Sequence, residues 1–101
     1  MPIVLPHFVE PQLATLAKRV PDGDDWVYVA DVGCGSGAVG LAIAKARPKV
    51  RLFSTDVDET AVRVTKANVA RLGLGDRVAV LHGNLLEPIP SSRPIDWVVS
   101  N

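Results

Sequence analysis

Apolar residues fall into short runs separated by turn-forming clusters, and successive runs alternate between two spacings. Trp26 to Val32 is an almost unbroken apolar run that predicts a buried strand over about 26–32. Beyond a glycine-rich turn, Val39, Leu41, Ala42, Ile43 and Ala44 follow a helical spacing to Arg47, and Pro48 stops that helix. Val50 to Thr55 is a second strand ending at Asp56. Asp58 suits the N-cap of a helix through Leu72, with Ala61, Val62, Thr65, Asn68, Val69 and Leu72 on or beside its buried side. Gly73 follows, where a left-handed C-terminal residue belongs. Val78, Val80 and Leu81 mark a third strand and Ile95 to Ser100 a fourth. Between them, Leu85 to Pro94 carries three prolines and two serines and reads as a loop with at most one helical turn.

Upstream of this pattern, residues 1–7 are proline-punctuated and extended. Leu13, Leu16, Ala17 and Val20 predict a short amphipathic helix over 11–20, closed by a turn at Pro21 to Asp25. The chain thus divides into an N-terminal segment (1–25) and an α/β part (26–101). Strands alternating with helices imply right-handed crossovers and a parallel sheet covered on both faces, one half of a doubly wound fold. The fourth strand, set beside the first, has nothing after it in this sequence to cover its outer edge. Such an apolar edge templates pairing with another chain, so self-association through the fourth strand is expected, as a dimer.

Composition narrows the classes. Hydrophobic residues make up 48% of the 101, enough for a real core, and the formal net charge is zero. No basic footprint for nucleic acid is visible in the sequence, although a local patch can still form in three dimensions. Cys34 is the single cysteine and has no intramolecular partner, which fits a cytoplasmic protein. No apolar run approaches a membrane span, and the N-terminus lacks the pattern of a signal peptide.

The candidate chemistry lies between the first strand and its helix, in Asp31-Val-Gly33-Cys-Gly35-Ser-Gly37. Glycines at alternate positions let a ligand approach the main chain, at the strand ends where open α/β sheets bind ligands. A dinucleotide is one fit, since Gly33-x-Gly35-x-x-Ala38 satisfies a loose phosphate-binding fingerprint and Asp56 follows at the ribose distance. S-adenosylmethionine is the other. Asp31 supplies negative charge near its ammonium, the alternating glycines let loop carbonyls face that group, and Asp56 accepts both ribose hydroxyls. An acid at position 31 repels a pyrophosphate, so charge favours S-adenosylmethionine over NAD.

Other residues have plainer readings. Cys34 fills a small site in the loop, and His7 and His82 are isolated surface or satisfied histidines. Trp26 and Trp97 are expected to pack at the starts of strands. Lys45, Arg47, Lys49 and Arg51 form a small basic cluster of the kind found at solvated helix ends.

Asp31 to Gly37, Thr55-Asp56, Ala67-Asn68, Gly83-Asn84-Leu85 and the closing Ile95 to Asn101 together resemble a class I methyltransferase. The strongest likeness is to the HemK-type glutamine N5-methyltransferases, which modify peptide-chain release factors. The resemblance implies a Rossmann-like doubly wound parallel sheet with strand order 3-2-1-4, present as its N-terminal, cofactor-binding half. It implies S-adenosylmethionine contacts at Asp31, Gly33, Gly35, Gly37, Asp56, Val57, Asn84 and Leu85, and a catalytic Asn101 accepting a hydrogen bond from the target NH2. No metal is needed. Asn84 stands where the family carries Asp, and Pro6 to Pro11 departs from the family's upstream motif. The implied acceptor is a protein glutamine on a release factor, with a nucleic-acid base or small molecule still open. A nucleotide-cofactor oxidoreductase and a non-catalytic cofactor- or partner-binding module are the alternatives. Without the strands beyond Asn101 this chain alone is expected to transfer no methyl.

Overall fold

The computed structural model describes residues 3–6, as backbone, and residues 23–100. The helix expected over 11–20 and the proposed catalytic Asn101 lie outside the described residues. Five strands form one sheet: β1 (Ile3–Pro6), β2 (Val27–Val32), β3 (Val50–Asp56), β4 (Val78–His82) and β5 (Trp97–Ser100). Their order is β1-β5-β2-β3-β4, with every neighbouring pair parallel. Among the described residues two helices, α1 (Ala38–Ala46) and α2 (Glu59–Leu72), carry the crossovers from β2 to β3 and from β3 to β4. Counted from residue 26, the strands follow the expected 3-2-1-4 order. Among the described residues no helix is long and apolar enough to cross a membrane.

The pleat divides the core in two. Val29, Leu52, Val78 and Val99 join Leu41, Ile43 and Ala44 of α1 and Val69 of α2 on one face. Ala30, Val32 and Val98 turn to the other face, where Ile89 covers them together with the half-buried Phe53, Leu81 and Ile95. Among the described residues that second face is therefore covered by the irregular 83–96 segment rather than by a helix. Its prolines at 88, 90 and 94 forbid a continuous helical ladder.

Both helices begin and end with distinct chemistry. Asp58 caps α2 by accepting from the Thr60 N–H at 2.9 Å, and Gly73 closes it at φ 70°. α1 is finished from elsewhere in the chain. Arg77, in the turn before β4, donates to the carbonyls of Ala44 (2.8 Å), Arg47 (3.2 Å) and Val50 (2.9 Å), which ties the end of α1 to the start of β3.

One expectation is refined and one corrected. Trp26 stands at the start of β2, but it packs against cations: it is 37% exposed, with the Lys49 ammonium and Arg51 guanidinium 4.7 and 4.4 Å from its ring centroid. Those cations belong to the basic cluster, so the exposed indole gains cation–π contacts instead of burial. Nor is the fourth strand an open edge. Ile3 to Pro6 pair in parallel with Trp97 to Ser100, so the chain's own N-terminal residues occupy the edge on which self-association was expected. The pairing groups of β5 are used internally, and β1 is the outermost strand on that side.

This arrangement predicts that deleting residues 1–6, which bares the apolar β5 edge, increases self-association in sedimentation relative to the full chain. A deletion variant that associates no more than the full chain at the same concentration would contradict the assignment of that edge.

Candidate functional site

The carboxyl ends of β2, β3 and β4 lie side by side, and the turn leaving each contributes to one cleft. After Val32 the chain folds back across β3, and the N–H groups of Gly33 and Cys34 both donate to the Thr55 carbonyl, at 2.9 and 3.1 Å. Gly37 then donates to Cys34 O at 2.8 Å and α1 begins. The loop's glycines do different work. Gly37 is buried at φ 84°, and a Cβ there would lie 2.7 Å from Thr65 Cγ2. Gly33 and Gly35 are exposed, also with positive φ, and a Cβ on either would meet nothing within 4 Å. Those two leave an open stretch of main chain on which a ligand can rest.

The carboxylates divide similarly. Asp31 is fully buried on the helix side of the sheet, and its Oδ2 accepts from the Gly40 N–H at 3.1 Å. Because Gly37 brings no side-chain cap to α1, this bond serves as the cap and sets a negative charge at the helix's positive end. Asp31 was expected to face a ligand. The structure instead places it behind the loop, acting through the helix start and its field. Asp56 is half-buried at the rim, its Oδ2 accepting from Gly35 N (3.1 Å) and its Oδ1 from Asp58 N (2.9 Å). Each carboxylate oxygen has a second lone pair, so capacity for a diol remains.

Opposite the loop, the turns after β3 and β4 form the second wall. Thr55 Oγ1 donates to Leu85 O at 2.8 Å, His82 Nε2 lies 2.8 Å from Val57 O, and Gly83 N donates to Asp56 O at 3.0 Å. Leu85 sits at φ 51°, the single positive-φ residue other than glycine among the described residues. The open cleft between these walls, about 140 Å³, is lined by Val32, Gly33, Asp56, Val57, Gly83, Asn84 and Leu85. Val57 and Leu85 are 63% and 61% exposed, two apolar side chains held in water beside a carboxylate.

The structure thus brings Gly33, Asp56, Val57, Asn84 and Leu85 together as expected, and sets Gly35 beside them through its bond to Asp56. Asp31 and Gly37 lie behind the loop. Sequence reasoning missed the part played by α2. Thr65 Oγ1 donates to Gly35 O at 2.9 Å, and Asn68 Nδ2 donates to Ser36 O at 2.9 Å. With Cys34 O bonded to Gly37 N, three of the loop carbonyls expected to face an ammonium point elsewhere. Gly33 O is the loop carbonyl with no donor among the described residues. The available signal was two polar side chains, three residues apart, on the stripe of α2 that ought to be apolar. His82, read as isolated, holds the Val57 turn.

Cys34 is buried, and its Sγ lies 3.4 Å from Thr65 Oγ1. Thr65 Oγ1 also donates to Gly35 O, and the Cys34 thiol lies 3.9 Å from the same carbonyl. Burial pushes the thiol pKa up from its ordinary value, and the charges of Asp31 and Asp56 push the same way against the opposing Thr65 contact.

A Rossmann-like sheet with a glycine loop after one strand and an acid ending the next defines a domain that binds a nucleoside-bearing cofactor at its strand ends. The chain belongs to the family described as methyltransferase small domain, which it matches over residues 13–101. It is 47% identical over 79 residues to a release factor glutamine methyltransferase of Clostridium acetobutylicum, covering 77% of this chain and 28% of that protein. A ribosomal protein L11 methyltransferase of Desulforamulus reducens is 44% identical over 73 residues, 72% of this chain and 23% of that one. Among solved structures, a SAM-dependent methyltransferase from Geobacter sulfurreducens in complex with S-adenosyl-L-homocysteine superposes with a TM-score of 0.63. It is 27% identical, over 75% of this chain and 30% of that one. The chain spans between 25% and 32% of the length of the release factor methyltransferases it resembles.

Two outcomes follow from this geometry. Gly40→Ala puts a Cβ 2.6 Å from Asp31 Oδ2 and is expected to cost about 1–3 kcal/mol in urea unfolding, while Gly75→Ala, which meets nothing within 4 Å, serves as the near-neutral control. Cys34, protonated at neutral pH, should react with Ellman's reagent far more slowly in the native protein than in urea. A thiol whose pKa is raised by folding contributes stability that is full below its unfolded pKa and is lost as pH rises through the folded value. Equal thiol reactivity in native and unfolded protein would contradict this assignment.

Proposed function

We propose that this chain is the cofactor-binding part of an S-adenosylmethionine-dependent methyltransferase that modifies a nitrogen, with a protein glutamine side chain as the favoured acceptor. The observation that carries the cofactor choice is the bond from Gly40 N–H to Asp31. A helix start after a glycine loop ordinarily offers free N–H groups to a phosphate. Here a buried carboxylate already sits on that end, so a pyrophosphate would meet negative charge while an ammonium would be attracted. The oxidoreductase reading is disfavoured on the same ground.

The residues present fit such a ligand. Asp56 accepts from the ribose hydroxyls, exposed Val57 and Leu85 flank the adenine, and Asn84 accepts from its amino group through its amide oxygen. Gly33 O, the loop carbonyl without a donor among the described residues, suits the ammonium. S-adenosylmethionine supplies an electrophilic methyl on its sulfonium, and the protein's task is to align the acceptor nitrogen with it. Asn101, which follows β5, takes the hydrogen bond from that nitrogen's NH2. The names of the release factor methyltransferases support a release factor as acceptor, and a cytoplasmic setting goes with the same reading.

Calorimetry on the purified chain with S-adenosylhomocysteine, S-adenosylmethionine and NAD tests the proposal. The first two are expected to bind and NAD to bind more weakly. Asp56→Asn keeps the shape but loses the charge, and should weaken S-adenosylhomocysteine by roughly 1.5–3 kcal/mol, the range for a hydrogen bond to a charged group. Tighter binding of NAD would overturn the assignment.

A further inference from the structure

None of the residues lining the cleft comes from α2, yet this helix makes two side-chain contacts to the glycine loop. Thr65 is fully buried and its hydroxyl donates to Gly35 O. One turn on, Asn68 donates to Ser36 O, and its own Oδ1 accepts from Arg71 Nη2 at 3.3 Å, which fixes the amide's orientation. Thr65 is further held by the Cys34 thiol at its Oγ1 and by Gly37, whose missing side chain leaves room for Cγ2. On its other side the Gly33 and Cys34 N–H groups hold the loop's entry to Thr55 O, and beyond them its tie among the described residues is from Gly35 N to Asp56 Oδ2. That oxygen is the one a ribose hydroxyl would share.

We infer that Thr65 and Asn68 are positioning residues for the cofactor's methionine end. They anchor the Gly35 and Ser36 carbonyls to α2, so the loop keeps its curvature when Asp56 turns to the ribose. The inference rests on the proposed S-adenosylmethionine site. Thr65 and Asn68 touch the loop and no part of the cleft, so their effect is indirect. Adenosine relies on Asp56, Val57 and Leu85, whereas the amino-acid end relies on the loop. Loss of the latch therefore acts on one end of the ligand only. A threonine that merely packs the core predicts something different, because valine fills the same volume.

Calorimetry with S-adenosylhomocysteine and with adenosine separates the two. Thr65→Val and Asn68→Ala should each weaken S-adenosylhomocysteine roughly tenfold, about the worth of one hydrogen bond, and leave adenosine unchanged. Thr65→Ser, which keeps the hydroxyl, should restore wild-type binding. Equal losses for both ligands, or wild-type binding by Thr65→Val and Asn68→Ala, would overturn the inference. Should Thr65→Val not fold, Asn68→Ala decides alone, since Asn68 is half-buried at the loop's edge. A wild-type chain that binds neither ligand defeats the cofactor proposal instead. In that case amide exchange in the free protein still judges the latch: Gly35, Ser36 and Gly37 should exchange faster in Thr65→Val and Asn68→Ala, and unchanged rates would refute it.

Discussion

A carboxylate removed from water must find donors, and the Asp31 carboxylate finds one in the first turn of α1, at 3.1 Å from Gly40 N. That contact demands a close approach of helix to strand, which leaves no room for a side chain at position 40. It also fixes where the helix starts, and hence how sharply residues 33–37 must turn to reach it. The charge then stands behind the loop, inside the protein, where solvent screens it least. One buried pair thus sets the backbone of the site and the sign of the ligand it suits.

The two aspartates differ in role through environment alone. Asp31 and Asp56 both end or nearly end a parallel strand, and both carboxylates accept from main-chain N–H groups of the glycine loop or its helix. Asp31 points to the covered face and is sealed by α1. Asp56 stands two residues beyond Ser54, the register partner of Asp31, past the helix cover, where it is half-buried and can exchange a protein donor for a ligand hydroxyl. One acid builds the loop; the other is placed to meet what lies on it.

Much of this was readable from local pattern. The α2 boundaries, with Asp58 at one end and Gly73 at the other, follow from cap chemistry that involves only neighbouring residues. The strands at 50–56 and 78–82 follow from their apolar runs, and Asp56 from its place at a strand end. What pattern cannot give is a pairing between distant segments. Ile3 to Pro6 is four residues long and lies between prolines, and its partner is some ninety residues away, so nothing local marks it as a strand. The α2 latch was hidden for the same reason: Thr65 and Asn68 are unremarkable helix residues until the loop thirty residues earlier is laid against them. The partners of Trp26 were hidden likewise, since Lys49 and Arg51 meet its ring only where the start of β3 lies beside β2.

α1 illustrates what borrowed ends mean for assembly. It spans nine residues, includes a glycine in its first turn, and has no side-chain cap at its own N-cap. A segment this short does not hold helical structure alone in water. Its start is completed by Asp31 from β2 and its end by Arg77, thirty residues downstream, which takes the Ala44 and Arg47 carbonyls at the helix's negative pole together with Val50 O of β3. Asp31 lies in the same strand–loop–helix unit, but Arg77 reaches α1 only where β3 and the turn into β4 lie against β2. The helix that follows the ligand loop therefore owes its far end to the assembled sheet rather than to its own sequence.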